Sequence, residues 1–462
     1  MAALSAPLSA LANTAETASP AQPALPAPPV ENPIRIGLGV GLTSAAISAP
    51  AGLTLVAGDQ VVGQFGPGEA VNVTLNGGAL QVTGLEEPLL PPVRLVPAGE
   101  PGATAIGYKG KSYRGEIELV LSTKSGKLSV VNLVSMEEYL FGVVPHEMPS
   151  GWPLEALKAQ AVAARTYATV NRGKYKADGF DLVDTNMDQA YGGIASEAAS
   201  TTQAVQETRG MVLTYGGAVV TAYYHSSSGG HTENNENVWS GPAQPYLRGV
   251  PDFDQVEGNT RYSWKYSFTV GEFAERLKRS GYDIGSVQSV LPAGTLGVSG
   301  RPSQWAIQGS SGKMTLTAYQ FRMALDLPSA PRTTQFRSEG VVTTIVTQTT
   351  NPATVHAVGA GGVVTARPAT PVTVVTAAGT TTLSETRPVY VVGASGTVAV
   401  NPVTVTVEKP GPAQPSGVEI AGGGYGHAVG LSQWGANGMA RQGKSFTEIL
   451  THFYTGIKVE TR

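Results

Sequence analysis

Residues 135–173 read SMEEYLFGVVPHEMPSGWPLEALKAQAVAARTYATVNRG, and the way this stretch divides decides the fold. Two helical segments are expected, a short one over SMEEYLFGVV and a longer one over WPLEALKAQAVAARTYATVNRG. In the second, Pro153 suits the first turn and Gly173 suits the stop. Leu154, Leu157, Ala161, Ala164 and Ala168 recur at three- to four-residue spacing, and their small side chains permit close packing against a neighbour. Between the segments lies Pro145-His146-Glu147-Met148-Pro149. Prolines on both sides of Glu147 restrict the backbone, and its neighbours Val143, Val144, Met148 and Trp152 carry no charge. An apolar setting raises a carboxyl pKa, as a general acid at neutral pH requires. A second reading stays open: a glutamate placed near the start of the helix at Pro153, favoured there by the helix dipole. Spacing alone does not choose between them.

Working outward, the chain has 462 residues, enough for two or three domains at roughly 100–200 residues each. Charged residues are only 14%, against about 25% in an average soluble protein. Gly (57) and Pro (32) are abundant, which suits a strand- and turn-rich chain rather than a helical bundle. Residues 34–110 read as a small β domain of short alternating strands, with a hairpin signal at Asn76-Gly77. The fold class expected is α+β: this β-rich domain, then a mixed α/β core over 111–339 that resumes at 418–462, interrupted by a Thr/Val-rich β region at 340–417. Further helices are expected near 197–209 and 270–280, with a strand pair around Gly216-Gly217.

Net charge is −3 without a basic run, so nucleic acid binding, which depends on phosphate neutralisation, is not expected. The absence of cysteine removes disulfides and thiolate metal sites. No run of ~18 apolar residues is present, so no membrane span is expected. Residues 1–33 form an Ala/Pro-rich leader. Its residues 2–12 look like the end of a secretion signal, with an Ala10-Leu11-Ala12 site but no charged start.

Two other segments carry candidate chemistry. In Tyr223-Tyr224-His225-Ser226-Ser227-Ser228-Gly229-Gly230-His231-Thr232, a histidine beside hydroxyls and paired glycines suits a loop that hydrogen-bonds a polar ligand; an ordinary Ser/Gly turn is the alternative. No Gly-x-Ser-x-Gly elbow accompanies it, and His225 and His231 lack a third metal ligand. In Gly424-Tyr425-Gly426-His427-Ala428-Val429-Gly430-Leu431-Ser432-Gln433-Trp434-Gly435, the glycines are not followed by the Lys-Ser/Thr of a phosphate loop. They suit a groove floor, with Tyr425 and Trp434 placed to stack on sugars or, for Trp434, to fill the core. The 340–408 region holds no titratable cluster beyond His356.

Taken together and in this order, SMEEYLFGVVPHEMPSGWPLEALKAQAVAARTYA, TAYYHSSSGGHTENNENVW and GYGHAVGLSQWGANGMARQGKSFTEILTHFYTG resemble the SpoIID/LytB family of bacterial peptidoglycan proteins. The resemblance runs over about 110–337 and 418–458. It implies a secreted or envelope-associated protein acting on peptidoglycan glycan strands as a lytic transglycosylase, with Glu147 of the Glu-Met-Pro motif as the catalytic acid. Most glycosidases need two carboxylates; a lytic transglycosylase needs one, which agrees with a single distinctive glutamate. The resemblance further implies that His225, Ser226, Ser227, His427, Ser432 and Gln433 line a glycan groove. Arg165, Gln189 and Tyr191, in or beside the matching core, are further expected substrate contacts. The other function it implies is a non-catalytic enhancer of an N-acetylmuramoyl-L-alanine amidase. Some sporulation members carry a Cys/His zinc site around the segment that here reads LVDTNMDQAYGG; with Val183, Met187 and Asp188 in place, no metal and no cofactor are expected. Ala428 stands where the family usually has glycine.

Overall fold

A computed structural model of the chain describes residues 30–99, 104–239, 241–338, 341–345, 373–376, 379–393, 396–405 and 415–462. Helices and strands in several sheets make it α+β. The leader up to residue 29, and His356, lie outside the described residues.

Two compact units form, one built on Leu38–Val134 with Ala177–Gly179, the other on Ile34–Gly37, Ser135–Lys176 and Phe180–Arg462. The first therefore reaches beyond the boundary expected near residue 110. The reason is strand pairing: Glu116–Leu121 is antiparallel both to Val93–Pro97 and to Leu128–Val134, so these strands belong to the sheet that includes Leu53–Ala57 and Gln60–Phe65. A second sheet holds the expected hairpin, in which Asn76 pairs Ala79. Its two-residue turn is Gly77-Gly78, with φ of 58° and 87°, the positive pair that a type I′ turn needs.

In the second unit, α1 (Met136–Glu147) is capped by Ser135, whose side chain accepts from the Glu138 N–H. It runs three residues past its expected end and contains Pro145. Pro145 supplies no N–H to its own turn, yet the helix closes beyond it, where the Met148 N–H reaches the Val144 carbonyl at 2.9 Å. Next come α2 (Leu154–Val170), with Pro153 as its N-cap, and α3 (Ala199–Glu207). The short α4 (Asn235–Val238) follows, then α5 (Val270–Arg279) and α6 (Ala318–Leu325). The chain ends with α7 (Gln433–Arg441) and α8 (Phe446–Phe453).

The alanines of α2 are buried on several faces, letting α1, α3, α7, α8 and the strand Met211–Tyr215 all approach it. Ala156, Leu157, Ala159, Val162 and Ala163 share one apolar cluster with Leu213, Leu431, Ile449, Leu450 and Phe453. A second cluster gathers Phe268, Phe273, Trp305, Ile307, Phe321 and Ile420. It lies among α5, α6 and strands that include Pro415–Gly422, which pairs antiparallel with both Trp264–Thr269 and Thr333–Ser338. Within the Thr/Val-rich region, Gly379–Gly393 is antiparallel to both Thr373–Thr376 and Gly396–Val405.

Candidate functional site

Glu147 is the last residue of α1. The helix-start explanation therefore fails: it faces the negative end of its own helix dipole, which disfavours the carboxylate. The other two segments reach it through a two-residue parallel pairing, Tyr224 with Leu431 and His225 with Ser432. Successive strand residues point to opposite faces. Tyr224 points to Glu147 and donates its hydroxyl proton to Oε1 at 3.2 Å. Gln433, the first residue of α7, donates from Nε2 to Oε2 at 3.2 Å and to the Gln160 Oε1 at 3.4 Å. Glu147 is half-buried, and burial raises its pKa above the ordinary 4.5 despite the opposing bonds from Gln433, Tyr224 and the Ala190 backbone. None of the groups that shift it is a second carboxylate.

Behind Tyr224 lies Gln189, fully buried. Its Nε2 donates to the Tyr224 hydroxyl at 3.0 Å and to the Ala164 carbonyl at 3.2 Å, while its Oε1 accepts from the Tyr139 hydroxyl at 3.2 Å. Gln189 thus reaches Glu147 through Tyr224 rather than facing open space.

The remaining expected contacts lie elsewhere, each for a physical reason. Arg165 is 2% exposed, and its donors are engaged. Nε and Nη2 donate to the two Glu137 oxygens at 2.9 and 2.6 Å, and Nη1 and Nη2 to the carbonyls of Met211 and Val205. It fastens α2 to α1 and to the strand beyond α3. Tyr191 is 3% exposed, its ring 5.0 Å from that of Tyr139. Ser432 is buried as the N-cap of α7, accepting from the Gly435 N–H at 3.1 Å.

His225, on the strand face opposite Tyr224, is buried beside His427 with ring centroids 5.3 Å apart. Burial and then the His427 neighbour hold its pKa well below the ordinary value. Its Nδ1 lies 3.2 Å from the Val429 carbonyl. His427 is half-buried, accepts from the Val429 N–H at 3.0 Å, and is pushed down to about 4 by burial. Both imidazoles are therefore neutral at pH 7 and serve the loop. Ser227 is buried and donates to Asp254 at 2.6 Å. Half-buried Ser226 accepts, through its carbonyl, from the Trp434 N–H at 2.9 Å.

The two glycine-rich segments meet directly. Ser227 and Tyr425 exchange backbone hydrogen bonds of 3.2 and 2.7 Å. Gly229, at φ 70°, sits so close that a Cβ there would lie 2.5 Å from the Gly423 carbonyl carbon, which accounts for the glycines on both sides. Ala428 adopts φ 64°, a left-handed conformation that costs a non-glycine residue roughly 1–2 kcal/mol.

Sequence reasoning missed Tyr224, although it stood in a quoted segment; the strand that presents it, Tyr224–His225, is too short for its alternation to be read. It also missed Asp252 and Asp254. Asp254 accepts from Ser227 Oγ and the N–H groups of Gly229 and Gly230, and Asp252 accepts from Ser228 Oγ at 2.5 Å. Burial and then the Asp254 charge push Asp252 from 3.8 up to about 7. A carboxyl pKa raised by folding contributes stability below the unfolded value and loses it as pH climbs through the folded one. Asp252→Asn should therefore gain thermal stability over the parent on going from about pH 4 to about pH 8. Equal midpoint differences at both would refute this coupling.

In the segment LVDTNMDQAYGG, the Asp188 carboxylate pairs with Lys174 and accepts from the Val183 N–H at 2.9 Å and the Tyr167 hydroxyl at 3.2 Å. The loop is held by these bonds. Among the described residues no group of three His, Asp or Glu side chains is arranged to hold a metal ion, and no helix is long and apolar enough to cross a membrane.

Residues 124–215, which carry α1, α2 and Gln189, match the sequence profile of the SpoIID family, described as stage II sporulation protein. The amidase enhancer of Bacillus subtilis is 30% identical over 393 residues, covering 84% of this chain but 50% of that protein, so the chain spans half the length of this relative. An uncharacterised protein of Brachyspira hyodysenteriae is 30% identical over 345 residues, 71% of this chain and 68% of its own. Stage II sporulation protein D of Bacillus amyloliquefaciens is 28% identical over 348 residues, 71% and 75% of the two chains. With the family profile matching the segment that holds Glu147, and relatives aligned over 71–84% of its length, the chain belongs to the SpoIID family.

Proposed function

We propose that this protein is a peptidoglycan lytic transglycosylase, acting outside the cytoplasm on glycan strands, alone or beside an N-acetylmuramoyl-L-alanine amidase. The observation that carries the reading is the environment of Glu147: a half-buried carboxyl of raised pKa, hydrogen-bonded at both oxygens and, among the described residues, with no carboxylate among the groups that shift it. Protonated Glu147 gives its proton to the oxygen between N-acetylmuramic acid and N-acetylglucosamine. That β-1,4 bond breaks and an oxocarbenium-like centre develops. The carboxylate left behind, now bonded by Tyr224 and Gln433, takes the proton of the muramyl 6-hydroxyl. That oxygen closes on the anomeric carbon, giving a 1,6-anhydro end. One residue acts as acid and then as base.

The name of the Bacillus subtilis relative, amidase enhancer, favours a second reading, in which the same segments bind glycan without cutting it and present strands to an amidase. Product analysis separates the two. The parent and Glu147→Gln are incubated with intact and with amidase-treated peptidoglycan, and the soluble products are weighed by mass spectrometry. Anhydro-muramyl products from the parent alone support the transglycosylase. Their absence from both, with both proteins still pelleting with walls, overturns it in favour of the binder.

A further inference from the structure

We propose that Gln189, held by Tyr139, is a positioning residue that aims the Tyr224 hydroxyl proton at Glu147. The inference rests on the proposed function and deepens it. The argument starts from donor and acceptor counts. A glutamine amide offers an acceptor oxygen and two N–H donors, and its orientation follows from its partners. The Ala164 carbonyl can only accept, so the Gln189 atom 3.2 Å from it is Nε2. Oε1 then faces the Tyr139 hydroxyl, which donates to it.

With the amide orientation set, the second Nε2 hydrogen points to the Tyr224 oxygen 3.0 Å away. That oxygen must accept there. Tyr224 has one proton, and the remaining partner is Glu147 Oε1 at 3.2 Å. The row Tyr139, Gln189, Tyr224, Glu147 therefore has one direction of donation. Gln189 is fully buried, so no water competes for its amide.

The direction matters to the chemistry. A hydroxyl that accepts a hydrogen bond is a stronger donor, because successive bonds polarise one another. A donor aimed at a carboxyl oxygen binds the carboxylate more tightly than the neutral acid. Gln189 thereby stabilises the state Glu147 reaches after giving up its proton, through Tyr224 and without touching substrate. Arg165, next to Ala164 on α2 and also expected to contact substrate, spends its donors on Glu137, Met211 and Val205 instead.

The test is a double-mutant cycle with two readouts. Gln189→Leu is made in the parent and in the Tyr224→Phe background. Tyr139→Phe/Gln189→Leu serves as a second form, because removing both partners leaves no orphaned tyrosine hydroxyl. In the parent, Gln189→Leu should lower kcat on glycan about tenfold with KM within about twofold, the loss of one bond to a charged group. In the Tyr224→Phe background it should lower kcat by less than about twofold. Independently of activity, the Glu147 carboxyl is followed by carbon-13 NMR titration, its signal assigned by its loss in Glu147→Gln. Its pKa should rise in Gln189→Leu and stay put when the change is made on Tyr224→Phe.

Equal losses of kcat in both backgrounds, or a titration that does not respond to Gln189→Leu, would overturn the proposal. If the titration responds as expected while even the parent releases no anhydro products, the positioning stands and the transglycosylase reading is what fails.

Discussion

Glu147→Gln is expected to reduce release of anhydro-muramyl products by about 10³–10⁴-fold while leaving the protein folded. General acid–base catalysis by one positioned group contributes roughly 10²–10⁴-fold, and here one carboxyl serves both proton transfers, placing the loss at the upper end. Gln cannot donate a proton to the leaving oxygen or remove one from the 6-hydroxyl. The fold should tolerate the change, because the amide oxygen can still accept from either Tyr224 or Gln433, and an ionisable group penalised by burial is removed. A midpoint within about 3 °C of the parent is expected. The pH profile supplies an independent check. The protonated form is the acid, so parent activity should fall as pH rises through the elevated Glu147 pKa, and this alkaline limb should be absent from whatever residual rate the variant shows. A variant that keeps more than about a tenth of the parental rate would remove Glu147 from the mechanism.

The elements set by local pattern were legible in the sequence. The alanine spacing of α2 and the Gly77 turn each reflect interactions within a few residues. Proximity of the three motifs was legible only through the family resemblance, because nothing local announces that Tyr224 pairs with Leu431. Which motif residues face Glu147 was not legible. The pairing strands are two residues long, too short for a two-residue period to stand out. His225 and Ser432 sit in motif segments for architectural reasons, as a buried loop anchor and a helix cap. A motif records both kinds of residue alike, and the burial that separates them is a property of the packed chain. The end of α1 was misplaced because proline signals a helix stop, whereas the helix here continues past Pro145 to Glu147.

Arg165 gives the second large effect, and it decides between the sequence expectation and the structure. Its guanidinium is enclosed with Glu137, the side chains 2% and 12% exposed, and Glu137 also accepts from the Gly210 N–H at 3.2 Å. Arg165→Met leaves the Glu137 carboxylate buried without its cation and removes the donors from two carbonyls. Breaking a buried ion pair from one side costs about 3–5 kcal/mol. The unfolding transition of the unit containing α2 should accordingly fall by about 10 °C. Most of that cost belongs to the stranded carboxylate rather than to the lost attraction, so Arg165→Met/Glu137→Leu should recover much of it, as apolar replacements of both partners generally do. The same pair of variants reads out function. If Arg165 fastens helices, the double variant binds and processes glycan like the parent once it is folded. If Arg165 contacts substrate, both variants lose wall binding alike, and the single change lowers stability by less than about 1 kcal/mol, the range of an exposed ion pair. Thermal melts beside wall-pelleting assays on the three proteins separate these outcomes. The engagement of every guanidinium nitrogen within the protein argues for the first.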